Sequence, residues 1–298
     1  QHLFWMYSHP AVYIMILPGM GIISEIIPVF SRKAIFGYKG IVISSMAIAV
    51  AGSLVWAHHM YTSGMSDVSV FVFSLLTYLV AIPTAVKVFS WVSTMYKGSI
   101  LMTPPLFMAL IFIYLFTVGG LTGLVLGAAG TDIHVHDTTF VVAHFHFTMF
   151  GGTGFAFFAG LHYWWPKMFG IMYDFKKAYI GSVLVTAGFI FHYIPMFILG
   201  MQGMPRRYYD YLPHFETGNF LAGFGGILMV IGIMLMFINL WASFRVREPA
   251  SADPWGGTTL EWSVPSPPPL HNFVEEPKIL EYPYDFSGVL ARAAKNKG

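Results

Sequence analysis

Residues 139–165 read Thr-Phe-Val-Val-Ala-His-Phe-His-Phe-Thr-Met-Phe-Gly-Gly-Thr-Gly-Phe-Ala-Phe-Phe-Ala-Gly-Leu-His-Tyr-Trp-Trp, without one Asp, Glu, Lys or Arg. As a helix rising ~1.5 Å per residue, this stretch is about 40 Å long, more than the ~30 Å of a bilayer's hydrocarbon core. A run this long and free of charge is a transmembrane helix, so the chain is an all-α integral membrane protein.

Six further runs have the same character: Leu3–Val29, Gly40–His59, Val68–Ser93, Pro105–Ala128, Ala178–Leu199 and Asn219–Trp241. With Thr139–Trp165 they make seven spans. The 298 residues are 56% hydrophobic and only 10% charged, against roughly 25% charged in soluble domains. A surface so poor in charge needs lipid as its solvent. The net charge of +2 offers no basic patch for nucleic acid. The absence of cysteine excludes disulfides, zinc–thiolate sites, iron–sulfur clusters and c-type haem attachment from this chain. Residues 1–245 read as the transmembrane core. Residues 246–298, with Pro265, Pro267, Pro268 and Pro269 followed by Glu275, Glu276, Pro277 and Lys278, read as an extended Pro-rich tail on the cytoplasmic side. The chain opens at Gln1, without a Met and already within a helical pattern, as expected of a chain cut partway through.

Positive charge sets the topology. Arg32, Lys33, Lys39, Lys97, Lys167, Lys176, Lys177, Arg245 and Arg247 fall in alternate connections, which face the cytoplasm or its equivalent. The opposite connections Met60–Asp67 and Ala129–Asp137 hold no Lys or Arg. Arg206 and Arg207 break the rule on the outer side, and a pair of guanidinium groups there asks for an anionic partner.

Histidine in a membrane span is costly and faces an interior partner. Five fall toward the outer face in three clusters: His9, then His58 and His59, then His144 and His146. Imidazoles without accompanying carboxylates suit copper or haem iron better than magnesium or calcium. Residues two apart on a helix are rotated by about 200°, so His144 and His146 cannot easily share a metal and can serve two different ones, one on each side of the helix. His9 and Tyr13 are spaced i,i+4 and share a face. His58 and His59 point about 100° apart, workable for one metal at a helix end.

The strings Tyr7-Ser8-His9-Pro10-Ala11-Val12-Tyr13, Trp56-Ala57-His58-His59-Met60, Ile82-Pro83-Thr84-Ala85-Val86-Lys87, His136-Asp137-Thr138 through His144-Phe145-His146, and Met204-Pro205-Arg206-Arg207-Tyr208 together resemble subunit I of the haem–copper oxidases of the cytochrome c oxidase type. The resemblance runs from residue 3 to about residue 245. It implies that the seven spans correspond to the last seven of a twelve-helix subunit. It implies His9, His58 and His59 as ligands of the copper ion CuB, His144 as axial ligand of the high-spin haem, and His146 as one axial ligand of the low-spin haem. Tyr13 matches the tyrosine that the family joins covalently to the copper histidine one turn before it. Arg206 and Arg207, with Asp132, are implied at the haem propionates, and His136 and Asp137 at a magnesium or manganese site. Read without the resemblance, these last two are also ordinary polar loop residues.

The same resemblance draws a proton-uptake path through Ser24, Thr84 and Lys87 to Tyr13, with Glu25 near its mouth. From the residues alone, Lys87 reads equally as a side chain snorkelling to the inner interface, and Glu25 as a solvated carboxylate. Many relatives carry Glu two residues after the first copper histidine, where this chain has Ala11. Tyr7 and Ser8 resemble the variant whose hydroxyls replace that carboxylate and that belongs to bacterial plasma membranes. The second axial histidine of the low-spin haem belongs to an early helix not matched here; His162 and His192 do not resemble it. The implied partners are therefore the preceding helices, a subunit II carrying the copper site through which electrons enter, other oxidase subunits and cytochrome c. The implied cofactors are two haems of A type and CuB, and the implied reaction is reduction of O2 to water coupled to proton uptake and pumping. The competing readings are a quinol oxidase, a nitric oxide reductase and, more remotely, a seven-helix receptor or transporter. Tyr13 and Lys87 favour oxygen reduction, and five clustered histidines find no use in a receptor.

Overall fold

A computed structural model describes residues 1–273, 276–277 and 282–289, so Glu275, Lys278 and the segment 290–298 of the tail lie outside the described residues. Among those described, the chain is helical with no strand. It runs α1 (His2–Ser31), α2 (Tyr38–Gly52), a 3-10 turn (Trp56–Met60), α3 (Asp67–Met95), α4 (Pro104–Gly127), α5 (Ala129–Val135), α6 (Thr139–Thr148), a π-helical turn (Met149–Gly154), α7 (Phe155–Phe169), α8 (Phe175–Met201) and α9 (Glu216–Val246).

The ends of these helices follow local chemistry. Ser66 caps α3, its hydroxyl accepting from Ser69 N, and Asp67 adds a negative charge to the first turn. Asp174 caps α8, accepting from Lys176 N at 2.8 Å and Lys177 N at 3.2 Å. Pro104 and Pro105 open α4, where a missing N–H costs nothing. Helix α7 stops at Gly170, whose φ of +68° is left-handed.

Among the described residues, six helical segments are long and apolar enough to cross a membrane: His2–Ser31, Asp67–Met95, Pro104–Gly127, Thr139–Phe169, Phe175–Met201 and Pro213–Val246. The expected second span, Gly40–His59, is corrected by the structure: its helix ends at Gly52, and Trp56–Met60 forms a separate 3-10 turn. A Cβ on Gly52 would lie 2.7 Å from the ring of Tyr13, so the phenol occupies the space that a side chain at this last residue of the helix would need.

The bundle has two chemically distinct ends. One carries His58, His59, Asp132, His136 and the loop holding Arg206, which is laced to the start of α6 by Thr139 N donating to Met204 O at 3.0 Å and Arg206 N donating to Asp137 O at 2.9 Å. The other end carries Arg32, Lys33 and Lys167 and is crossed by the tail. Arg32 Nη1 donates to Gly256 O at 2.7 Å. Lys167 Nζ donates to Ala252 O at 2.8 Å and Val264 O at 2.7 Å. Trp255 Nε1 donates to Tyr163 O, and Trp262 Nε1 to Tyr163 Oη, both at 2.8 Å. Both tryptophans are buried. Between the ends lies an aromatic core that includes Phe112, Phe147, Phe155 and Phe189.

Candidate metal centre

Trp5, His9 and Tyr13 follow one another at i,i+4,i+8 on α1 and so share one face of it. His9 Nδ1 lies 3.1 Å from His59 Nε2, and His58 Nε2 lies 3.1 Å from the same nitrogen. The three residues offer ligand atoms all within 4.8 Å of one another, the one such set among the described residues. The 3-10 turn makes this possible: two adjacent histidines outside a regular helix can both turn toward α1.

The proton positions follow from the partners. Thr77 Oγ1 donates its only hydrogen to Phe73 O at 2.6 Å, so it accepts from His58 Nδ1 at 2.9 Å. That fixes His58 with its Nε2 lone pair toward the cluster. His9 Nε2 is buried without a hydrogen-bond partner, and the Tyr13 ring stands 4.7 Å from the His9 ring. Trp5 stacks on His59 at 3.7 Å and 11°. Three convergent imidazole nitrogens, with the His58 ring oriented by Thr77, fit a copper ion.

His144 and His146 part company as the 200° rotation requires. His144 lies against α4, its Nδ1 within 3.0 Å of Gly119 O and 3.2 Å of Thr122 Oγ1. His146 turns to α8, stacked on Tyr193 at 4.5 Å and 19°, with its Nδ1 2.8 Å from Val142 O. In both, the carbonyl takes the Nδ1 hydrogen and leaves the Nε2 lone pair free, the state an axial haem ligand needs.

At the outer end Asp132 is turned to His136, whose Nδ1 it meets at 2.7 Å, while His136 Nε2 lies 4.0 Å from Asp137 Oδ2. The Asp132 hydrogen bond raises the His136 pKa and directs Nε2 toward the second carboxylate, a donor pair that suits a hard divalent cation. Arg206 Nε is buried with no partner, and its guanidinium sits 5.5 Å over Phe145; Arg207 is exposed. An orphaned guanidinium nitrogen on an arginine that lies over the Phe145 ring fits an anionic partner such as a carboxylate.

Lys87 does not snorkel. It is 2% exposed, and its Nζ donates to Ser45 Oγ on α2 at 2.8 Å. Thr84 Oγ1 donates to Val80 O at 2.8 Å. Ser24 Oγ donates to Met20 O at 2.8 Å and accepts from Trp91 Nε1 at 2.9 Å. Glu25 accepts from Tyr284 Oη of the tail at 3.0 Å. Tyr7 is 71% exposed, in a stripe with Leu3, Phe4 and Ile14, while Ser8 is half-buried. His192 is held by Ala222 O, and His162 is fully buried on α7 with Nε2 unpartnered; neither joins the histidine cluster. Sequence reasoning missed Trp5, Thr77, Ser45 and Tyr193. Only Trp5 carried a signal, its spacing of four residues before His9.

The family profile described as "Cytochrome C and Quinol oxidase polypeptide I" matches residues 1–234. The chain is 46% identical over 286 residues to cytochrome c oxidase subunit 1 of Thermostichus vulcanus, covering 96% of this chain and 52% of that protein. It is 45% identical over 282 residues to cytochrome c oxidase subunit 1 of Bacillus sp. (strain PS3), covering 94% and 46%. The chain thus spans about half the length of the curated relatives it matches. Among solved structures, a chain of a heme–copper terminal oxidase dimer determined by cryo-electron microscopy superposes with a TM-score of 0.75 at 25% identity, over 81% of this chain and 48% of that one.

Proposed function

Because this chain belongs to the cytochrome c and quinol oxidase polypeptide I family, we propose that it is the oxygen-reducing core of a terminal oxidase. Its helices correspond to the last seven of a twelve-helix subunit in a bacterial plasma membrane. The convergence of the His9, His58 and His59 nitrogens within 4.8 Å, beside a phenol 4.7 Å away, carries this reading.

In it, His9, His58 and His59 hold CuB, His144 holds the high-spin haem and His146 one side of the low-spin haem. The haems, of A type, and the copper would supply the redox chemistry, four electrons to O2 in all, counting the one that passes through Tyr13. The chain's own side chains handle position and protons. Thr77 keeps His58 in the tautomer that presents Nε2; the Gly119 and Val142 carbonyls do the same for His144 and His146. Tyr13 contributes a proton and an electron from its hydroxyl to O–O cleavage, then recovers both. A bond between Tyr13 and His9 Nε2, as the family resemblance implies, is consistent with that nitrogen having no other partner. Lys87 relays protons from the inner side, with Thr84 and Ser24 lining the route and Glu25 near its mouth; Tyr7 and Ser8 belong to the second path. Arg206 and Arg207 bind the propionates, while Asp132, expected on the propionate side, orients His136, which with Asp137 holds magnesium or manganese. The preceding helices supply the second low-spin ligand, subunit II receives electrons from cytochrome c, and proton pumping accompanies reduction.

The test is a pair of optical spectra, reduced and reduced plus CO, on the complex containing this chain, with copper and iron assayed on the same sample. Two haem signals, one of them CO-sensitive, with copper present are expected. His59→Ala should remove the copper and leave both haems. An intact complex lacking both metals would end this reading.

A further inference from the structure

The family resemblance gives Lys87 its path but no resting partner. Ser24, the hydroxyl it implies nearby, is already occupied on both sides, by Met20 O and Trp91 Nε1. Thr84 spends its hydrogen on Val80 O. The ammonium of Lys87 is instead held by Ser45 at 2.8 Å. Ser45 donates its one hydrogen to Ile41 O at 2.9 Å, so its oxygen is committed to accepting. Lys87 is a nearly sealed-off cation, and Ser45 is its hydrogen-bond partner among the described residues.

The place of Ser45 on α2 gives this contact a direction. Gly52, seven residues further along the same helix, is the position against which the Tyr13 ring lies. Residues seven apart share a face, about 10 Å apart along the axis. One face of α2 therefore carries the holder of the cation and, two turns toward the histidines, the seat of the phenol. Thr84 is one turn before Lys87 on α3, and α3 runs from the histidine end inward, so Thr84 lies on the way from Ser45 to Tyr13.

Resting on the proton-uptake reading, the geometry points to Ser45 as a positioning residue: it holds the protonated Lys87 at a waiting place two turns below Tyr13, from which the proton moves past Thr84 and to which Lys87 returns to take another from the inner side. The residue acts through Lys87 and touches neither substrate nor metal. Without the acceptor, a buried ammonium loses its partner, and the share of chains with a charged, waiting lysine falls.

The test uses the complete oxidase complex, mixed anaerobically with a reductant while reduction of the CO-binding haem and of the other haem is followed separately. Ser45→Val keeps the volume of threonine but lacks an acceptor. It should slow reduction of the CO-binding haem roughly tenfold, equivalent to ~1.4 kcal/mol, the low end for a hydrogen bond to a charged group. The other haem should be reduced within about twofold of the parent rate. Ser45→Thr, which restores the acceptor, should recover most of the rate. Ser45→Ala carries the same expectation as Ser45→Val should the valine variant fail to assemble. If the variants without an acceptor and Ser45→Thr behave alike, or if both haems slow together, Ser45 does not position the lysine. Lys87→Met separates the two readings. A slowed CO-binding haem in Lys87→Met with a normal rate in Ser45→Val overturns the role of Ser45 alone, whereas a normal rate in Lys87→Met overturns proton uptake through this lysine and the Ser45 inference with it.

Discussion

Tyr13 can stand beside His9 because residue 52 has no side chain. A Cβ there would sit 2.7 Å from two carbons of the phenol ring, closer than carbon atoms approach without displacing each other, so one methyl group would push the ring from its seat. Gly52→Ala should keep copper and both haems while oxygen consumption falls at least tenfold, since misplacing a reacting group by about 1 Å can cost on the order of a hundredfold. Metal assay beside an oxygen electrode checks this, and undiminished consumption would mean that the ring's position is not demanding. At this scale the sequence spoke clearly where chemistry is carried by rare residue types. Five histidines in a membrane stand out on cost alone, and the rotation between His144 and His146 gave their opposite destinations, α4 and α8. It was silent where common residues do the orienting. Nothing marks Thr77 among other threonines, or Ser45 beside Ser44, until a second helix is laid against the first.

At the scale of the helix, α8 and α9 approach through facing glycines. A Cβ on Gly188 would fall 2.6 Å from Gly225 O, and one on Gly232 would fall 2.6 Å from Val185 N. In lipid, where no hydrophobic force drives helices together, such backbone proximity is what dispersion attraction requires. Gly188→Leu should separate the pair, lowering thermal stability by about 1–3 kcal/mol. Because Tyr193 on α8 stacks on His146, the same variant should disturb the spectrum of the haem that the proposed function assigns to His146; a melting temperature and spectrum like the parent's would contradict this. Hydropathy found the spans but not their interruptions. It ran the second one through to His59, whereas the helix stops at Gly52. It also gave no sign of the π-helical turn at Met149–Gly154, since hydropathy does not register where the backbone hydrogen-bond pattern widens. The first interruption brings His58 and His59 against His9, where local regularity gives way to the placement of side chains.

For the molecule as a whole, two ends of unlike chemistry are joined by an apolar middle, and the distribution of Lys and Arg told them apart before any coordinates. What composition could not convey is how the tail is held. A Pro-rich, charged segment reads as solvent-loving, yet Trp255 and Trp262 are 3% and 4% exposed, each donating to Tyr163. Trp262→Ala should leave the tyrosine hydroxyl without its donor and open a cavity, a loss of about 3–5 kcal/mol at that contact. Protease added from the inner side of membrane vesicles should then cut between residues 247 and 273 faster than in the parent; equal cutting would show that Trp255 and Lys167 suffice. These contacts also impose an order in time. Tyr163 and Lys167 leave the ribosome 85 to 99 residues ahead of Ala252, Trp255 and Trp262, which will satisfy them, a wait of roughly 5–20 s at 5–20 residues per second. Throughout it the inner end of α7 stands open to water, already threaded through the membrane but unlatched. The latch is therefore made after the helix it closes, and a chain interrupted between the two would display a wet tyrosine and an ungripped lysine to any quality-control protease on that side.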